Sequence, residues 1–313
     1  MALELDIDRI RQIVDEGVRD QVYPGAVWAV GDPSGNMVLG TPGLPDSGRP
    51  DEPMRHDTVF DVEGLTEVLA VWSTVGALVE GGKLLLDEPL GDFWPEVRGR
   101  PLGRVSARHL LTHTAGLPLR TDLSNLYGTD PRDMRDGVLR DAVRRPPGEA
   151  VEYTGRAALV LGYLAEEVSG QRLEVLAATD VWQPLGMTRT RFGPRGTCGV
   201  LSVLPDLAAF LRHLLQPGRG DGRPGFGSAW IKESLRLQTG GLTPGGGLFW
   251  RPAPKTAPGA DDVWEHHGSG AAAAWLSPGQ GRWAVLLTNS GHRTGEHESL
   301  VPVRDAFRSL AFA

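Results

Sequence analysis

The order of predicted secondary structure constrains the fold of this chain most strongly, because strand patterns near both ends enclose a long middle part with helical periodicity. The apolar runs that predict strands lie at 26–30, 37–40, 247–251, 271–277 and 283–289. Terminal strands that pair with each other form one sheet, and a helical segment inserted between them forms a lobe of its own. We therefore predict an α/β (α+β) fold, with an antiparallel sheet flanked by helices at 1–60 and 220–313 and a mainly helical lobe at 61–219. A cleft between the two parts is the default place for a ligand.

The helices are predicted from apolar residues that recur every three or four positions. They lie at 3–22, 65–80, 107–112, 131–143, 156–168, 171–182, 205–216 and 301–310. Gly81-Gly82 ends the second of them, as glycine often ends helices. Ser106 is a candidate N-cap for the third.

Charge and composition exclude several classes of function. The 32 Lys and Arg against 39 Asp and Glu give a formal net charge of −7, so we expect no binding to nucleic-acid phosphates or to a membrane surface. The single cysteine, Cys198, cannot form an intramolecular disulfide or a cysteine-rich metal site. No stretch approaches the ~20 apolar residues that cross a bilayer, and Met1–Asp15 lacks the apolar core of a secretory signal. We expect a cytoplasmic protein with a small-molecule substrate, no cofactor and no metal. The sequence does not indicate the oligomeric state.

Nine fragments, in one order along nearly the whole chain, carry a family resemblance. They are residues 58–62, 78–90, 109–118, 147–153, 161–162, 184–187, 199–215, 266–268 and 275–278. They resemble the serine β-lactamase and penicillin-binding-protein family, which includes class C β-lactamases, D-alanyl-D-alanine peptidases, esterases and transacylases. The resemblance implies the β-lactamase/transpeptidase-like fold.

The residues at the expected nucleophile position depart from that family. Its members react through a serine in an S-x-x-K motif at the start of a long helix. Here the tetrad is Gly64-Leu65-Thr66-Glu67, so glycine replaces the serine and glutamate replaces the lysine. None of the three lysines (Lys83, Lys232, Lys255) has Ser, Thr or Cys three residues before it, and no G-x-S-x-G motif is present. Thr66 is a poor substitute, because a helix turns it roughly 200° away from position 64 at ~100° per residue.

The second and third family motifs are partly kept. Tyr153-Thr154-Gly155 retains the tyrosine of Y-x-N and loses the asparagine, and His266-His267-Gly268 keeps the spacing H-x-G, with Ser269 next. The resemblance implies that the strand at 266–268 helps to form an oxyanion hole, for which Gly64 can still offer a backbone N–H. We therefore predict that the substrate-binding residues are Gly64, Gly155, His267 and Ser269, with Trp250 and Trp264 as apolar walls. Packing in the core is an equal alternative for the two tryptophans.

Three hypotheses remain for the function. In the first, Glu67, Tyr153 and His266 form an acid–base set that acts without a covalent intermediate on a small organic molecule of specialised metabolism, as a cyclase, isomerase or lyase. In the second, the chain is a pseudoenzyme that binds a ligand or a partner without turnover. In the third, it hydrolyses its substrate with activated water, or it is a serine hydrolase inactivated by design.

Two further histidines carry no chemistry in these hypotheses. His109 and His113 have the i, i+4 spacing of a helical metal site, but no H-E-x-x-H glutamate lies between them. We predict that both are structural.

Overall fold

The computed structural model divides the chain into two compact units. The sheet unit comprises Met1–Thr66, Trp182–Arg223 and Pro252–Ala313, and the helical unit comprises Glu67–Val181 and Pro224–Arg251. Within them the structure describes residues 5–45, 52–119, 123–194, 199–218, 223–254, 262–267, 272–289 and 297–313.

These boundaries differ from the predicted division at 61–219. Residues 182–223 belong to the sheet unit because helix α9 (Leu204–Leu215) packs on its two central strands. Residues 224–251 belong to the helical unit because Phe226, Trp230 and Trp250 are buried there.

Two sheets form the sheet unit. The strands are β1 (Ala26–Gly31), β2 (Met37–Gly40), β3 (Phe60–Asp61), β4 (Arg191–Phe192), β5 (Val200–Ser202), β6 (Arg251–Pro252), β7 (Trp264–His267), β8 (Ala272–Ser277) and β9 (Arg282–Thr288). The large sheet has the order β2-β1-β9-β8-β7-β6, and the small one has the order β3-β5-β4. β1 pairs antiparallel with β9 over its whole length, so residues near the two ends of the chain share one sheet, as predicted.

The core of the sheet unit lies between the large sheet and two terminal helices. Helix α1 (Ile7–Arg19) begins at Asp6, whose side chain accepts the Arg9 N–H at 3.0 Å, and it buries Ile10 and Val14. Trp28 and Trp275 project from the sheet onto Phe307 of helix α11 (His297–Ala311), with ring centroids 6.0 and 5.7 Å away. Apolar residues from both ends of the sequence therefore stabilise the same layer.

The helical unit contains the other helices. They are α2 (Ser73–Glu80), α3 (Leu90–Phe93), α4 (Ala107–Leu111), α5 (Leu123–Tyr127), α6 (Pro131–Arg140), α7 (Arg156–Ser169), α8 (Leu173–Ala177) and α10 (Ser228–Ser234). α4 begins with a reciprocal capping box between Ser106 and His109, which confirms the predicted N-cap and assigns His109 a structural role. No helix in the described residues has both the length and the apolar character needed to cross a bilayer.

The predicted α-helix at 65–80 is not continuous. A 3-10 turn spans Glu63–Leu65, a π-helix spans Glu67–Trp72, and only Ser73–Glu80 is α-helical. The Ser73 hydroxyl donates to the Leu69 carbonyl at 2.8 Å, so a side chain competes for a backbone acceptor where the π-helix ends. The π-helical turns begin at Glu67.

Two other predicted elements are corrected. The predicted strand at 247–251 is irregular except for Arg251, because Phe249 has a φ of 60°, which a strand does not allow. The predicted helix at 171–182 is α-helical only at Leu173–Ala177 and continues as a π-helix, Ala178–Trp182.

An aromatic cluster stabilises the helical unit. Trp72 lies 5.1 Å from Phe226, 5.6 Å from Trp230 and 6.3 Å from Trp250, measured between ring centroids. A β-carbon at Gly76 would overlap the Trp230 indole, so α2 approaches α10 as closely as its glycine allows.

This close approach gives a first prediction. Gly76→Ala lowers the free energy of unfolding by about 1–3 kcal/mol, because overpacking against a rigid indole outweighs the gain in helix propensity. The control is Gly241→Ala, since a β-carbon there meets no described atom within 4 Å, and it changes stability by less than about 0.5 kcal/mol. Chemical denaturation compares the two variants, and equal stabilities would refute the packing argument.

Candidate active site

The candidate residues fall into two groups, one in each unit. Glu67 and Tyr153 belong to the helical unit, whereas Gly64 and His266 belong to the sheet unit. Each group is built by different elements, so each is described by itself.

Glu67 is a buried carboxyl group at the start of the π-helix, with 7% of its surface exposed. Burial raises the pKa of Glu67 from 4.5 to about 7, and the hydrogen bond from Tyr153 opposes this rise. Both protonation states are therefore populated near neutral pH, which is the range useful for general acid–base catalysis.

Tyr153 is the polar partner of Glu67. Its hydroxyl donates to Glu67 Oε1 at 2.8 Å, and 46% of the residue is exposed. The backbone N–H of Glu152 donates to the His113 carbonyl at 2.8 Å, which fixes the chain just before the tyrosine. The structure thus brings together two of the three predicted catalytic residues.

Arg156, at the start of α7, is the nearest cationic residue to Tyr153 in the sequence, and its charge is already compensated. Its Nε donates to Asp141 Oδ2 at 2.7 Å, and its Nη1 donates to the Leu119 carbonyl at 2.8 Å. The Arg156 side chain is buried, and its bond to the Leu119 carbonyl fixes the chain just before residue 120.

In the sheet unit, His266 contacts the backbone of Gly64. Its Nε2 lies 3.0 Å from the Gly64 carbonyl oxygen, and because a carbonyl only accepts, Nε2 carries the proton. His266 thereby holds the 3-10 turn Glu63–Leu65, in which Glu63 has the left-handed φ of 44°. The catalytic role of His266 stays a prediction.

Glu265 and His267 lie on the opposite face of β7 from His266, because side chains alternate along a strand. Glu265 Oε2 accepts from Trp275 Nε1 at 3.0 Å and from Arg308 Nη1 at 3.4 Å. His267 Nδ1 lies 3.0 Å from Arg304 Nη1, so it accepts from that guanidinium. His267, which we predicted to bind substrate, packs against α11, and its role in binding remains a prediction.

Thr66 is bound to the backbone of the small sheet. Its Oγ1 accepts the backbone N–H of Val200 at 2.9 Å, so the hydroxyl oxygen joins the chain to β5.

The other predicted binding residues have different surroundings. Trp250 is 1% exposed within the aromatic cluster, which favours the packing alternative, and Trp264 on β7 is 9% exposed. Gly155 is exposed at the N-terminus of α7. Ser269 lies outside the described residues, as do Gly268 and Cys198.

His113 and Phe249 belong to the surroundings of the site but were not predicted as functional residues. Both have left-handed backbone angles, with φ of 55° and 60°, and their rings stack on each other. Nothing in the periodicity indicates such angles. The described residues contain no group of three or more His, Cys, Asp or Glu that could hold a metal ion.

Comparison with known proteins identifies the family. The family model described as Beta-lactamase matches residues 10–306. Esterase EstB of Burkholderia gladioli is 32% identical over 231 residues, which are 67% of this chain and 55% of EstB, so the chain spans little more than half of that relative.

Two solved structures share the fold. A class C β-lactamase from Rhodobacter sphaeroides has a TM-score of 0.75 at 19% identity, covering 98% of this chain and 100% of its own. D-alanine carboxypeptidase AmpC from Burkholderia cenocepacia has a TM-score of 0.73 at 19% identity, covering 97% and 99%. The fold is therefore the β-lactamase/transpeptidase-like fold, and the chain belongs to the β-lactamase family.

Proposed function

We propose that this member of the β-lactamase family converts a small organic metabolite by noncovalent acid–base catalysis, with Glu67 and Tyr153 as the working pair. The observation that carries the proposal is the hydrogen bond of 2.8 Å from Tyr153 to a buried carboxyl group whose pKa is about 7. The reaction is a cyclisation, isomerisation or elimination.

In this mechanism the Glu67 carboxylate removes a proton from the substrate and returns it at another atom or to a leaving group. The Tyr153 hydroxyl stabilises the carboxylate before the transfer, and it can donate to developing negative charge once Glu67 is protonated. Glycine at position 64 offers no side chain to acylate, and the Thr66 hydroxyl is bound to Val200. Each proton taken up is released, so the protein ends the cycle unchanged.

Energetic cost argues against the pseudoenzyme alternative. A buried carboxylate destabilises the folded state by several kcal/mol unless it is protonated or paired. A site that had lost its function would tolerate a neutral residue at position 67 more easily. The retained Tyr153 partner supports use of the carboxyl group.

Hydrolysis by water that Glu67 activates is a second candidate. The relative named as an esterase favours it. Glu67 would act as the general base in that reaction too, again without an acyl-enzyme.

Glu67→Gln tests the proposed base directly. We expect turnover to fall by at least about 100-fold, because an amide of the same shape cannot accept the proton. The substrate is sought by incubating the protein with pooled small metabolites and a simple aryl ester, and following their consumption by mass spectrometry. The limb of the wild-type pH–rate profile near pH 7 should be lost with the residue.

The matched control is Glu88→Gln, which removes an exposed carboxylate. This variant should keep the wild-type rate and pH profile. Full activity of Glu67→Gln would refute the proposal for either reaction class.

The missing nucleophile gives a prediction on labelling. After incubation with a fluorophosphonate or a β-lactam, intact-mass spectrometry should find no covalent adduct, whereas a serine β-lactamase treated in parallel is labelled. An adduct mapped to residues 64–67 would mean that acyl transfer is still available to this chain.

The pKa of Glu67 also predicts how stability depends on pH. The folded protein keeps the Glu67 proton up to about pH 7, whereas an unfolded glutamate loses it near pH 4.5, so wild-type stability falls as pH rises through this window. The loss amounts to about 3 kcal/mol above pH 7. Glu67→Gln lacks this dependence, and its stability relative to wild type should rise by that amount between pH 4 and pH 8.5. Urea denaturation measures it, with Glu88→Gln as control, and parallel pH curves for wild type and Glu67→Gln would contradict the burial effect.

A further inference from the structure

We propose that His113 and Phe249 form an aromatic clamp that holds the Tyr153 phenol on the Glu67 carboxyl group. The two are positioning residues, because they act on the proton-transfer pair and not on the substrate. Their catalytic meaning rests on the proposed function, but the contacts themselves do not.

The clamp is a row of three rings within the helical unit. The His113 imidazole stacks on Phe249 with centroids 5.1 Å apart and planes at 22°, and its centroid lies 4.9 Å from the Tyr153 ring at 57°. Phe249 is buried, with 4% of its surface exposed, so it supports the imidazole from the interior. Ring pairs at these distances prefer defined orientations.

Both clamp residues have a left-handed backbone conformation, which residues other than glycine rarely adopt. His113 has a φ of 55° and Phe249 has a φ of 60°, although neither is glycine. Such angles persist only where surrounding structure fixes them, and they cluster at functional sites. Here two hydrogen bonds to carbonyls of α4 fix the backbone at these positions. The Phe249 N–H donates to the Leu111 carbonyl at 2.7 Å, and the N–H of Thr114, which follows His113, donates to the His109 carbonyl at 2.8 Å.

Because Tyr153 is exposed, neighbouring contacts are needed to keep its hydroxyl on Glu67. Nearly half of this residue is open to solvent, so water competes for its hydroxyl, whereas Glu67 is buried and cannot follow a moving partner. The ring contact with His113 and the bond from Glu152 N–H to the His113 carbonyl restrict the tyrosine on two sides. Loss of the clamp should therefore weaken the bond between Tyr153 and Glu67.

Two variants separate the ring from the backbone. His113→Asn keeps a side chain that tolerates a left-handed φ but removes the ring. His113→Phe keeps a ring, and Phe249 shows that this chain accommodates phenylalanine at such an angle. The readout is the titration of Glu67, followed by carbon-13 NMR of protein labelled at glutamate Cδ, with the resonance assigned by its absence in Glu67→Gln.

The hydrogen bond from Tyr153 favours the charged form of the carboxyl group and so lowers the pKa of Glu67. Loss of this bond should therefore raise the midpoint of the Glu67 titration. In Tyr153→Phe the midpoint of the Glu67 titration should rise by about one pH unit. His113→Asn should raise it in the same direction, and His113→Phe should keep the wild-type midpoint. Phe249→Leu, which removes the ring behind His113, should also raise it and carries the test if His113→Asn does not fold.

A wild-type midpoint in folded His113→Asn and Phe249→Leu would overturn the clamp, and so would a shift in His113→Phe equal to that in His113→Asn. None of these measurements needs a substrate. If Glu67→Gln keeps full turnover while His113→Asn shifts the titration, the proposed function fails and the clamp stands. If Glu67→Gln is inactive but the Glu67 titration midpoint in His113→Asn and Phe249→Leu equals that of wild type, only the clamp fails.

Discussion

The proposed chemistry depends on one constraint, which is the burial of the Glu67 carboxyl group. Water is largely excluded from it, so its charged form is destabilised, and the hydrogen bond from Tyr153 offsets part of that cost. The balance of these two effects brings the pKa to about 7. Without burial the group would be an ordinary carboxylate, ionised throughout the physiological range and a weak base.

The backbone around the candidate residues is adapted to this constraint. Glu67 begins a π-helix. π-helical turns are rare in proteins overall, but those that occur are often found at functional sites. Left-handed angles occur at Glu63 next to Gly64, at His113, whose ring contacts Tyr153, and at Phe249, which stacks on His113, as well as at Gln21. In the sheet unit the 3-10 turn at Glu63–Leu65 is held through the Gly64 carbonyl by His266. Glu63 and His113 thus have strained backbone angles directly beside residues to which the sequence assigns chemistry.

The sequence predicts elements whose signals are local. β2 was predicted with its exact bounds, and the N-cap at Ser106 was predicted because a capping side chain acts within three residues. The resemblance to the S-x-x-K and Y-x-N motifs places Glu67 and Tyr153 in one acid–base set with His266, and the bond between the first two agrees with that part of the prediction. The π-helix at 67–72 was missed because apolar spacing alone does not separate wide turns from α-helical ones over six residues. The strand at 247–251 was wrong because nothing in its composition indicates the angle of Phe249, and the contact of His266 with Gly64 joins residues 202 positions apart.

The exchange of two residues in one tetrad has a consequence for how such a protein can change. A serine placed at position 64 would have a carboxyl group, and no lysine, one helical turn later. A lysine placed at position 67 would put an ammonium group into a dry environment, with no serine at position 64 to activate. On the proposed function, each single substitution would therefore remove the acid–base pair without supplying the serine and lysine of S-x-x-K, and acyl transfer would require both at once. A stepwise change between the two kinds of catalysis on this fold would pass through an inactive protein.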